Sequence, residues 1–178
     1  MKTWIALLRG INVGGRNVLP MKDLRAILEE LGLKNVQTYI QSGNCVFDCE
    51  DGDALTLSGS IADHIQQKQK FRPQVLVITK DDLLTAIADN PYPAGEDEPK
   101  NVHLFFLSEP AVNPELIKLE QVKKPSENFA LLGSVFYLHT PEGFNSSKVA
   151  TKVEKALGVA VTARNLRSAN QIAELATK

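Results

Sequence analysis

The sequence predicts an α+β fold in which one order of elements, βαββαβ, occurs twice and a C-terminal helix follows. Three observations predict it. Each half holds two short β-prone runs around a glycine-bearing turn, Ser42-Gly43-Asn44 in the first and Gly133-Ser134 in the second. Each of these hairpins is flanked by helical patterns. The opening strand of each half is apolar on both faces, as in Trp4 to Leu8 and Val102 to Leu107, so both faces of each sheet are expected to be covered. The order is the split-βαβ or ferredoxin-like arrangement. The expectation is two tandem ferredoxin-like units packed together: residues 1–80, a connecting helix and linker at 81–100, and residues 101–178 with the terminal helix.

The run from Thr3 to Arg9 reads as a strand that stops at the glycine-rich stretch Gly10 to Gly15. Pro20 suits the first turn of a helix, Met21, Leu24, Ile27, Leu28 and Leu31 recur at helical spacing, and Gly32 is placed to end it. Val36 to Gln41 and Cys45 to Asp48 form the hairpin, Ile61 and Ile65 mark a second helix, and Val75 to Thr79 is the fourth strand. Thr79 and Asp82 have capping-box spacing and open a helix that ends near Asn90-Pro91. The prolines, glycine and acids of Tyr92 to Lys100 read as a linker. The order then recurs: strand Asn101 to Leu107, helix Pro114 to Val122, hairpin Phe129 to His139, helix Ser147 to Leu157 and strand Val159 to Thr162. Ala169, Ile172, Ala173 and Ala176 give the terminal helix, Leu166 to Ala176, a core-facing side.

Composition excludes several classes of function. Of 178 residues 43% are apolar, enough for a substantial core. The 20 basic and 21 acidic residues leave a net charge of −1, unlike the basic footprint of an electrostatic nucleic-acid binder. Trp4 to Leu8 is too short for the apolar core of a signal peptide, and no run reaches membrane-spanning length, so a cytoplasmic protein without membrane contact is expected. Cys45 and Cys49 lie at i and i+4 in one strand, too far apart for a disulfide, and read as small buried hydrophobes. His64, His103 and His139 show no ligand spacing, so neither a metal nor a cofactor is expected.

Unusual chemistry is densest in Arg9-Gly10-Ile11-Asn12-Val13-Gly14-Gly15-Arg16-Asn17. Glycines let backbone N–H groups approach a ligand, arginines present planar donors to carboxylate or phosphate, and the loop feeds a helix N-terminus. A Walker A loop is excluded because its lysine and hydroxyl residue are missing, and G-x-G-x-x-G is absent. A plain strand-to-helix connection with solvated arginines accounts for the same residues. The βαββαβ topology brings the first hairpin turn, with Gln41, Ser42 and Asn44, to the same sheet edge as Arg9, Asn12, Gly14, Gly15, Arg16 and Asn17. In the second half it brings Lys148, in the first turn of its helix, near Arg164 and Asn165. Antiparallel packing of the halves would turn these two clusters toward one groove.

The run Leu7 to Gly15, followed by Pro20-Met21, Leu24-Arg25, Leu31-Gly32 and Tyr39-Ile40-Gln41-Ser42-Gly43-Asn44, closely resembles the family of domain of unknown function 1697. The similarity extends through Asn90-Pro91-Tyr92 and Tyr137-Leu138-His139 to Ser147-Lys148 and Thr162-Ala163-Arg164-Asn165. Where the family usually carries a tryptophan after the terminal Arg-Asn pair, this chain has Leu166. The resemblance implies a bacterial cytoplasmic protein with ferredoxin-like halves and no established activity.

The best functional reading is therefore a binding protein for a small ligand bearing phosphate or carboxylate, of unspecified oligomeric state. No nucleophile, base and orienting group assemble from predicted neighbours, and His139 near Ser146 and Ser147 is the nearest approach. The alternatives are a nucleic-acid-binding module and a protein-interaction module without catalysis. RNA-recognition domains share the plan, but Cys45-Val46-Phe47-Asp48 does not match their aromatic signature, so nucleic acid is disfavoured.

Overall fold

The computed structural model describes residues 1–178. The chain forms β1 (Lys2–Arg9), α1 (Met21–Glu30), β2 (Lys34–Tyr39), β3 (Asn44–Cys49), α2 (Ala54–Gln69), β4 (Gln74–Thr79) and α3 (Lys80–Ala88). It continues with β5 (Val102–Leu107), α4 (Leu116–Glu120), β6 (Asn128–Leu132), β7 (Val135–His139), α5 (Lys148–Leu157), β8 (Val161–Asn165) and α6 (Leu166–Thr177). The strands make two four-stranded antiparallel sheets, ordered β2-β3-β1-β4 and β6-β7-β5-β8. That order, with the two crossover helices of each βαββαβ run, is the ferredoxin-like plan twice over.

Contacts divide the chain into Met1–Thr85 with Asn170–Lys178, and Ala86–Ala169. In the first unit alternation along the strands selects the core. Trp4, Ala6 and Leu8 of β1, Cys45 and Phe47 of β3 and Val77 of β4 pack against Leu24, Ile27 and Leu28 of α1 and Ile61 and Ile65 of α2. The opposite face is apolar too, and Ile5, Leu7 and Val46 on it are buried. The last turns of α6, which the sequence reading kept with residues 101–178, group with this first unit. There Leu175 and Ala176 join Thr3, Val46 and Asp48 in lining a cleft of about 420 Å³.

In the second unit Phe105 and Leu107 of β5 and Phe136 and Leu138 of β7 meet Leu119 of α4 and Val149, Val153 and Leu157 of α5. Val102, Leu104, Phe106 and Tyr137 are buried on the other face. There the Tyr137 hydroxyl donates to the Ala86 carbonyl at 2.6 Å, and Tyr92 stacks on His139 with ring centres 5.8 Å apart. The segment 92–100, expected as a linker, is thus in part a packed strap. Its 3-10 turn Pro93–Gly95 buries Gly95 against Leu166 and Val102.

Helix starts follow the sequence signals closely. Thr79 and Asp82 form a reciprocal capping box, each backbone N–H reaching the other's side chain at 3.0 Å. Asp53 caps α2 through the Thr56 N–H, and Ser147 caps α5 through the Ala150 N–H. Three expectations need correction. The helix expected over 114–122 is only Leu116–Glu120, because Asn113 at φ +54 and Pro114 delay its start and Pro125 follows closely. The last strand, expected at 159–162, runs through Arg164 and Asn165, whose ladder with β5 continues to the pair His103↔Asn165 despite their polarity. Asn44, expected in the turn, opens β3 and is buried. Of the two cysteines, Cys45 is buried and Cys49 half-buried, its thiol donating to the Asp51 carbonyl at 3.0 Å.

Candidate functional site

The connection from β1 to α1 is a small structure in itself. Val13 and Arg16 close a two-residue turn, with the Arg16 N–H donating to the Val13 carbonyl at 3.0 Å and Gly14 and Gly15 between them at φ +58 and +73. Positive φ at both central positions is what a type I′ turn demands, which is why the sequence has Gly-Gly there. Below it the Asn12 N–H donates to the Asn17 carbonyl at 3.1 Å, and the Asn17 amide donates to the Gly10 carbonyl at 2.9 Å. Both asparagines sit at positive φ, near +54 and +50, where Asn is among the residues best able to go.

Asn12 also ties this loop to the first hairpin. Its amide nitrogen donates to the carbonyls of Leu19, at 2.9 Å, and Gln41, at 2.8 Å, while its oxygen accepts from the Leu19 N–H at 2.7 Å. Alongside, the Leu8 N–H donates to the Gly43 carbonyl at 2.8 Å, and an added Cβ on Gly43 would lie 2.7 Å from Leu8 Cβ and 2.8 Å from Ile11 Cδ1. Asn44 spans the turn, donating to the Tyr39 carbonyl at 2.9 Å and the Ser42 hydroxyl at 3.1 Å. The loop and the hairpin turn are therefore one hydrogen-bonded platform, as the topology predicts.

The expected site residues separate by role on this platform. Asn12, Asn17 and Asn44 hold the backbone, and Gly14 and Gly15 make the turn. Arg9, Arg16, Gln41 and Ser42 are exposed around it. Arg9 Nη1 donates to Gln74 Oε1 at 3.2 Å, across from it on β4. Gln74 is a neighbour the sequence reading missed, although the antiparallel pairing of β1 with β4 would have indicated it. The Arg16 and Gln41 side chains have no hydrogen-bond partner within the protein.

In the second unit the register places Asn165 opposite His103 and His139 opposite Val102, so the ends of β7 and β8 share one sheet edge. Asn165 Oδ1 accepts from the Ser168 N–H at 2.8 Å and caps α6, a structural task. Arg164 Nη1 donates to the Ala163 carbonyl at 2.9 Å, and Lys148 is exposed in the first turn of α5. His103 stacks on Phe144 at 3.7 Å, and burial lowers its pKa from 6.5 to about 4. The nearest serine–histidine set dissolves. Ser147 is spent on its cap, Ser146 Oγ accepts from Lys124 Nζ at 2.8 Å, and His139 stacks on Tyr92. No group of three His, Cys, Asp or Glu side chains is placed to hold a metal ion, and no helix is long and apolar enough to cross a membrane.

The family described as "Protein of unknown function (DUF1697)" matches residues 1–137, a span that contains the whole platform. The chain belongs to that family. The matched span of this DUF1697 protein ends before Lys148, Arg164 and Asn165, so the resemblance suggested there lies outside it. The conserved bacterial protein SP0830 from Streptococcus pneumoniae is similar in structure, with a TM-score of 0.73, 23% identity and 98% of each chain covered. That likeness extends the shared fold over both units. No curated protein matches the chain.

Proposed function

We propose that this protein binds a small anion bearing phosphate or carboxylate groups at the platform formed by the β1–α1 connection and the first hairpin turn. One observation carries the reading: the second unit completes the same ferredoxin-like plan with a connection, residues 108–115, that has neither arginine nor glycine. The fold itself thus does not require Arg9, Arg16 or the Gly-Gly turn. Asn12 and Asn17 stiffen the loop, so a ligand meets groups already held in place, which lowers the ordering cost of binding. Arg16, Arg9 and Gln41 supply side-chain donors, with the Ser42 hydroxyl beside them. The Ser42 hydroxyl has no histidine or carboxylate base placed beside it on the platform, so the reading is binding without a claim of catalysis.

The test is a thermal-shift screen of inorganic phosphate, pyrophosphate, nucleotides, sugar phosphates and di- and tricarboxylates against the wild type and the Arg9→Ala, Arg16→Ala double variant. A compound that raises the melting temperature of the wild type and leaves the variant unmoved supports the site. Shifts of equal size in both proteins, or none with any compound, contradict it.

A further inference from the structure

In the second unit, a cluster of lysines borders a groove between α4 and α5. The groove has a volume of about 340 Å³ and is lined by Lys118, Lys152 and Lys155 around Leu119, Val122 and Ala156, with Glu115 and Gln121 completing it. Lys148, Lys152 and Lys155 fall at i, i+4 and i+7 and are all exposed, so one face of α5 is a lysine row. The one acid of α5 is engaged elsewhere. Glu154 accepts from the Val161 N–H at 3.1 Å, and Glu120 of α4 is exposed but is not among the residues that line the groove. Only Glu115 remains at the rim, and it is paired with Lys118 at 2.8 Å.

We propose that this groove docks an acidic segment of a partner protein that inserts an apolar side chain between the lysines. Charge complementarity selects an acidic occupant, and the apolar floor selects one with a side chain to bury. A free phosphate compound would leave the half-buried Val122 and the methylene stems of the lysines unused, and the donors here are flexible ammonium groups without the planar fork that suits a phosphate. A groove between two helices suits an amphipathic helix laid along it. Its acidic side chains would meet Lys118, Lys152 and Lys155, and its apolar side chains would cover Val122 and the lysine stems.

Fluorescence anisotropy of a labelled amphipathic peptide of about 20 residues, longer than the length below which isolated helices are marginal in water, tests the proposal. Its leucines lie along one helical face and its glutamates along the other. The expected result is saturable binding that weakens at least about tenfold in a Lys152→Glu, Lys155→Glu variant and about as much when the leucines of the peptide become serines. Both substituted lysines are exposed, so circular dichroism should show the fold of the variant unchanged. The Arg9→Ala, Arg16→Ala variant should bind the peptide as the wild type does, which separates this surface from the anion platform. Three results would overturn the proposal: no binding, equal binding of the serine peptide, or displacement of the peptide by inorganic polyphosphate at matched charge. The last two would leave only a basic patch attracting any polyanion.

Discussion

The two units place the same strands in the same order, yet they connect the first strand to the first helix in different ways. Residues 10–20 fold over a Gly-Gly turn and are fixed by the Asn12 amide, whereas residues 108–115 cross with prolines, acids and Asn113 at φ +54. The hairpins differ as well. Ile40 to Gly43 form a longer turn spanned by Asn44, while Gly133 and Ser134 alone join β6 to β7. The lesson is that the ferredoxin-like plan accepts a simpler connection at this edge than the first unit has.

The largest expected effect separates the two hairpins. Gly43→Ala meets both a positive φ and the Leu8 and Ile11 side chains, and should cost about 3 kcal/mol in urea unfolding. Gly133→Ala meets only the positive φ, with open space around it, and should cost about 1 kcal/mol. Equal losses would mean that the first turn is no more tightly packed than the second.

A second contrast lies in the strand cores. His103 pairs with the last residue of β8 as Trp4 pairs with the last residue of β4, so a half-buried histidine takes the place of the buried tryptophan. An unfolded histidine titrates near 6.5 and the folded one near 4, so between these values the unfolded chain holds a proton that the folded chain refuses. The stability due to this group is complete above pH 6.5 and is lost as the pH falls toward 4, by on the order of 3 kcal/mol. Unfolding of wild type and His103→Phe across that range should show a steeper loss of stability in the wild type. The same slope in both would assign it to other groups.

Smaller still, Asn12→Ala removes three side-chain hydrogen bonds from the platform and should cost about 2 kcal/mol, with faster amide exchange at Leu19. Amides of 108–115 should exchange as before. The Arg9→Ala, Arg16→Ala double variant should lose no more than about 0.5 kcal/mol, because both guanidinium groups are exposed. A larger loss would make the arginines part of the scaffold and remove the basis for a binding role.

Much of this was legible in the sequence, because strand alternation, helical spacing and caps such as Thr79 with Asp82 act over a few residues. The platform was legible as a neighbourhood, since topology alone brings Gln41 to Ser42 beside the Arg9 to Asn17 loop. The division of labour within it was not. That Asn12 binds the Leu19 and Gln41 carbonyls, and that Asn44 is buried, depends on three-dimensional distances that polarity does not reveal. The same limit hid the strand ladder through Arg164 and Asn165, whose polar side chains resemble a loop. It also hid the strap at 92–100, where prolines and acids mask a packed glycine.

The most direct test of the central claim is an amide NMR titration of the protein with pyrophosphate. The expected result is saturating shifts at Gly14, Gly15, Arg16 and Ser42, little movement across 108–115, and loss of the effect in the double arginine variant. Shifts of similar size on both connections, or none on the first, would contradict it and return the loop to the architecture.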